Sequence, residues 1–176
     1  MGQHEMKFVF RKAGSDDLTD IRGLLSHLEY ATYSTELSSV YESLLKDDSY
    51  QCILALAPPD YEVVGMVTLR TFAVLRLAGY QTSIEELVVL PKWRGLGLGR
   101  ALVTMAVEAA KKSGSVRLEV ISSENRESTR RMFYEKAGLK SARSRIYRLD
   151  ISRRTDKPHQ TKAQASNKQI FSGELA

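Results

Sequence analysis

The 176-residue chain carries one cysteine, Cys52, so no disulfide can form within it, and a cysteine-stapled secreted scaffold is excluded. Its three histidines, His4, His27 and His159, are scattered, and no metal-ligand spacing occurs, so no metal is expected. No basic N-terminal segment followed by an apolar run marks export or membrane insertion, which leaves a cytoplasmic setting and no membrane partner as the expectation. The string Gly-x-x-x-x-Gly-Lys-Ser/Thr is missing, so a P-loop is out. Strong charge is missing as well. Against 21 Asp plus Glu stand 26 Lys plus Arg, and the net +5 favours an anionic ligand without requiring nucleic acid. A hydrophobic fraction of 43% is ordinary for a globular core, and the length suits one domain with a tail.

Glycine, by contrast, is concentrated where it matters. In Leu87-Val-Val-Leu-Pro-Lys-Trp-Arg-Gly-Leu-Gly-Leu-Gly-Arg-Ala-Leu102 an apolar, β-rich segment passes through a turn directly into a helical pattern. Gly95, Gly97 and Gly99 allow backbone conformations and close approaches that side chains block, and the first turn of a helix leaves amide N–H groups without internal acceptors. With the positive end of the helix dipole and the flanking Arg94 and Arg100, this predicts a cradle for phosphate or diphosphate. A dinucleotide site requires Gly-x-Gly-x-x-Gly. Counted from Gly95 the sixth place is Arg100, and from Gly97 it is Leu102. Glu119 lies at the distance of a ribose-binding acid, so an NAD-dependent oxidoreductase stays as the weaker alternative.

Arg-x-x-Gly-x-Gly is met in full by Arg94, Gly97 and Gly99, behind a hydrophobic strand and a Pro-x-x-Arg-Gly approach. Asn125 and then Met132-Phe133-Tyr134-Glu135-Lys136-Ala137-Gly138-Leu139 follow in the right order. Together these resemble the GNAT superfamily of acyl-CoA-dependent N-acetyltransferases, whose members carry Asn and then Phe/Leu-Tyr-Glu-Lys-x-Gly-Phe; Leu139 stands in place of the final Phe. The resemblance is strong from Ile84 to Leu139, extends by element order back to Phe8, and ends at Ile151.

The pattern of apolar residues gives strands at Phe8–Lys12, Tyr50–Ala57, Val63–Leu69, Thr82–Leu90, Val116–Ile121 and Arg143–Ile151. Helices are predicted from Leu18 to Leu28, from about Thr35 with Leu37, Val40, Tyr41, Leu44 and Leu45 inward, from Arg100 to Ser113, and from Asn125 to Ala137. The order β-α-α-β-β-β-α-β-α-β is an α+β fold with a mixed, mostly antiparallel central sheet flanked by helices, as the resemblance implies. Residues 1–151 form the expected acetyltransferase domain. Residues 152–176, with Arg153, Arg154, Lys157, Lys162 and Lys168 and little to bury, read as a disordered basic tail.

Acetyl transfer to an amine needs a base for the ammonium proton and an acid for the departing thiolate. Glu85 and Glu86 lie toward the end of an apolar strand, where alternation sends them to opposite faces and only one enters a cleft. The resemblance implies the first of them, Glu85, as base, and Tyr134 as acid near the coenzyme sulfur. It further implies that Leu87, Val88 and Val89 offer backbone to the pantetheine arm and that Arg94, Gly95, Leu96, Gly97, Leu98, Gly99 and Arg100 hold the pyrophosphate. Asn125 either contacts the coenzyme or caps a helix. Tyr30, Tyr33 and Glu36, between the first two helices, are candidates for the acceptor. The expected reaction moves acetyl from acetyl-CoA to a primary amine without a covalent enzyme intermediate. The acceptor is left open among polyamine, amino sugar, other small amine and protein, and a non-catalytic acyl-CoA sensor is the alternative. A homodimer through the final strand is also open.

Overall fold

Pro58, Pro59 and Asp60 interrupt the apolar run that begins at Tyr50, and the chain folds back on itself there. The computed structural model describes residues 8–28, 34–149 and 151. Strand β1 is Val9–Lys12, followed by helices α1 (Leu18–Leu25) and α2 (Ser34–Leu45). Then come β2 (Tyr50–Ala57), β3 (Glu62–Val74), β4 (Gly79–Val89), α3 (Leu98–Lys112) and β5 (Ser115–Val120). Two short helices close the order, α4 (Glu127–Arg130) and α5 (Phe133–Lys136).

The five strands lie in one sheet in chain order, antiparallel from β1 to β4, with β5 parallel to β4. A parallel pair cannot be joined by a tight turn, and α3 is the crossover between them. Leu98, Leu102 and Ala106 press α3 onto one face with Ile53, Ala55, Val67, Leu69 and Ile84. Ile21, Leu24 and Leu28, with Tyr41 from α2, cover the other face over Cys52, Leu54, Met66 and Val88. Leu102 is fully buried and contributes on the order of 2 kcal/mol by burial alone. Among the described residues no helix is long and apolar enough to cross a membrane.

Three sequence expectations are corrected. Val40 is 51% and Leu45 37% exposed, so the buried face of α2 is narrower than predicted. The helix predicted over 125–137 is two four-residue pieces parted at Met132, which is left-handed at φ 53°. Residues 125–131 carry no apolar side chain, so nothing packs to hold a longer helix there. The final strand predicted at Arg143–Ile151 is not formed among its described residues. Tyr147, Leu149 and Ile151 are each at least 85% exposed, and without burial the cost of ordering a strand is not offset. The chain divides into two units, residues 1–141 and 142–176; the predicted tail, 152–176, lies outside the described residues.

Candidate active site

Beyond Val89 the chain leaves the sheet under restraint. Leu90 N–H donates to Val64 O at 2.9 Å, Lys92 Nζ and Trp93 Nε1 both reach Glu62 Oε1 (2.8 and 3.1 Å), and Trp93 meets Phe8 edge-on. Arg94 Nε then donates to Val89 O at 3.0 Å, tying the start of the glycine loop to the end of β4. Gly95 and Gly97 take φ of 79° and 81°, a region that costs other L-residues roughly 1–2 kcal/mol. Gly97 caps α3, and its carbonyl accepts from Ala101 N–H at 3.0 Å. The amides of Leu98, Gly99 and Arg100 are therefore first-turn donors that no helical carbonyl takes up. The Leu98 side chain is buried and can offer a ligand only its backbone, whereas Leu96, Arg94 and Arg100 are exposed beside the turn. At Gly99 a Cβ would stand 3.2 Å from the Phe133 ring, so α5 packs on the first turn of α3 only because that residue is glycine. Amide donors, a helix N-terminus and two arginines form a donor set suited to a chain of phosphates.

The same end of the sheet is splayed. Pairing of β4 with β5 stops at Ile84 and Val120, yet β4 continues beside β3 as far as Val89. Leu87, Val88 and Val89 thus present a backbone edge that β5 does not occupy. Their side chains are committed elsewhere: Leu87 and Val89 to the core under α3, Val88 to the core under α1.

Between Ile84 and Glu86 the strand bulges. Thr68 pairs with Glu86 and Leu69 with Ile84, so Glu85 is an extra residue opposite none. The bulge breaks the simple alternation assumed from sequence: Ile84 lies in the α3 core, and so do the odd-numbered Leu87 and Val89. Glu86 shares its face with Val88, Thr68, Cys52 and Tyr50, while Glu85 is exposed. Burial pushes the Glu86 carboxyl above the ordinary carboxylate range; a hydrogen bond from Thr68 works against that, and Glu85 adds to it. A raised carboxyl next to a free strand edge has the properties of a general base. Nothing in the sequence flagged Thr68 or Tyr50; a one-residue bulge leaves no compositional trace.

Tyr134 is half-buried, and burial raises its hydroxyl above the usual phenol range, countered by Arg126 and by a hydrogen bond with Ser122. Its ring meets Phe133 edge-on at 5.0 Å. Arg126 Nη2 also donates to Leu28 O at 3.4 Å, joining the start of α4 to the end of the α1 segment. Asn125 is exposed, and the residue that caps α4 is Arg126. Glu36 sits half-buried in the first turn of α2; Tyr30 and Tyr33 lie outside the described residues.

The profile of the Acetyltransferase (GNAT) family matches residues 18–139, which takes in both motifs and every element from α1 to α5. The chain belongs to this family. Within it, an aminoalkylphosphonate N-acetyltransferase from Salmonella typhimurium is 37% identical over 91 residues, 52% of this chain and 58% of that protein. The match therefore spans less than two thirds of the relative's length. A glucosamine 6-phosphate N-acetyltransferase from Trypanosoma brucei brucei is 32% identical over 136 residues, covering 73% of this chain and 89% of that one. A crystal structure of a Trypanosoma brucei acetyltransferase superposes with a TM-score of 0.68 at 28% identity, over 82% of this chain and all (100%) of that chain. The α+β architecture with its mostly antiparallel sheet is thus that of GNAT acetyltransferases.

Proposed function

We propose that this GNAT chain transfers acetyl from acetyl-CoA to a primary amine by direct attack, with Glu86 as base and Tyr134 as acid. The observation that carries the reading is spatial. The half-buried Glu86 carboxylate, the free edge of Leu87–Val89 and the amide cradle at Gly95–Arg100 follow one another along a single strand and its exit loop. The cradle suits the pyrophosphate of the coenzyme, and the strand edge suits its amide-bearing arm. The amine nitrogen attacks the thioester carbonyl, the C–N bond forms and the C–S bond breaks. The ammonium proton goes to Glu86, and the thiolate takes a proton from Tyr134. A backbone N–H at Val89 would stabilise the oxyanion. The choice of Glu86 over Glu85 rests on the bulge, which sets Glu85 in solvent and turns Glu86 under α1.

The acceptor class follows from the relatives. Both names, aminoalkylphosphonate and glucosamine 6-phosphate, describe an amine on a molecule that also carries a phosphorus oxyanion. We assign the same class here. The Arg126 guanidinium, placed between Leu28 and Tyr134, supports it as an anion partner, and Glu36 in the first turn of α2 is a further candidate; Tyr30 and Tyr33 lie outside the described residues. The test is thiol release from acetyl-CoA with 2-aminoethylphosphonate, glucosamine 6-phosphate, glucosamine and spermidine. Turnover with the first two well above the others supports the assignment. Preference for spermidine or glucosamine refutes the acceptor class, and no thiol release above background with any of the four refutes the acetyl-transfer reading.

A further inference from the structure

The main-chain N–H of Glu86 donates to Thr68 Oγ1 at 2.9 Å, and the same Oγ1 donates to Oε2 of the Glu86 side chain. An N–H can only donate, so Oγ1 must accept there, and its one proton is left to point at the carboxylate. Thr68 is 2% exposed, so water does not take its place. The ring closes at the bulge, where the ladder shifts between Thr68 and Leu69 and a side-chain oxygen takes the N–H. From β2, Tyr50 packs against the core on the same side of the sheet.

Resting on the acetyl-transfer reading above, we infer that Thr68 is a positioning residue for Glu86. Thr68 occupies Oε2 and so leaves Oε1 as the atom that receives the ammonium proton. Its hydrogen bond also favours the carboxylate form against the effect of burial. Tyr50 and Cys52 face Glu86 from β2, Glu85 is on its own strand, α1 and the turn after it bring the apolar Leu18, Ile21, Leu24, Leu25 and Leu28 to that core, and Tyr41 of α2 joins them. Thr68 is the one hydrogen-bond donor among the causes that act on the Glu86 charge.

The test compares Thr68→Val and Thr68→Ser with the wild type, each checked for folding by circular dichroism. In Thr68→Val the acid limb of kcat/KM moves up by about one pH unit, the KM for acetyl-CoA stays within about twofold, and Thr68→Ser restores the wild-type profile. An unmoved acid limb in folded Thr68→Val, or a Ser variant that behaves like Val, overturns the inference. A second arm does not need turnover. The infrared carboxylic-acid band lost in Glu86→Gln is titrated in the wild type and in Thr68→Val. A higher midpoint in the variant supports the clamp, and an identical midpoint overturns it. Wild type without acetyl transfer but with a shifted band refutes the enzyme reading alone, so the two failures are separable.

Discussion

Arg11 and Asp17 face each other through two parallel contacts, Nη1 to Oδ2 and Nη2 to Oδ1, each 2.6 Å long. Asp17 Oδ2 also accepts from Gly14 N–H at 2.7 Å, so one carboxylate joins the end of β1 to the turn that starts α1. The aspartate side chain is 9% exposed and its partner 44%. The Arg11 hydrogen bonds, and after them the Gly14 amide, hold the Asp17 carboxyl below its ordinary range. A group with a depressed folded pKa contributes its stability fully above the unfolded value, about 3.9, and loses it as pH falls through the lower folded value. Asp17→Asn is therefore expected to cost about 2 kcal/mol at pH 7. The deficit should shrink below about pH 4, as urea unfolding at both pH values will report.

Gly97 is the residue on which the cradle turns. Gly97→Ala places a side chain at φ 81° and is expected to lose about 1–2 kcal/mol of stability. It should also lose most of the melting-temperature rise that acetyl-CoA gives the wild type, read by differential scanning fluorimetry with and without coenzyme. Equal rises in the two proteins would detach the coenzyme from this loop.

Cys52 bears on the order of chemical steps. Burial, and secondly the nearby Glu86, push its thiol up to about 12, so it is protonated at neutral pH and a poor nucleophile. Native protein should react with a thiol reagent orders of magnitude more slowly than protein in denaturant. Cys52→Ala should keep acetyl transfer within about twofold, as direct attack without an acyl-enzyme requires. A stable acetyl label on Cys52 after incubation with acetyl-CoA would contradict direct attack.

Removing the proposed acid separates binding from chemistry. Tyr134→Phe keeps the ring against Phe133 and deletes only the hydroxyl. Its kcat is expected to fall about 100-fold with coenzyme affinity unchanged. Steady-state kinetics beside equilibrium titration with CoA give both numbers.

The glycine loop was legible because it is written in residue types that have few other uses: Gly95 and Gly97 both take the left-handed conformation that their spacing predicts. The apolar stripes that place α1 and α3 on the sheet were legible for the same reason, since Leu24 and Leu102 recur at helical spacing and are buried. What the sequence hid is geometry without composition. The bulge at Glu85 inverts the side-chain parity of β4 and exchanges the surroundings of two adjacent glutamates. The break at Met132 follows a stretch, 125–131, with no apolar side chain to pack, and the strand expected after Arg143 has apolar side chains but no burial for them.

A surplus residue in β4 lets even-numbered Ile84 and odd-numbered Leu87 and Val89 share the core under α3. Deleting one residue between Ile84 and Leu87 would restore strict alternation and leave every downstream side chain on its present face. What would go is the irregular step at which the Glu86 N–H turns to the Thr68 hydroxyl, so the bulge serves the glutamate and not the packing of the sheet.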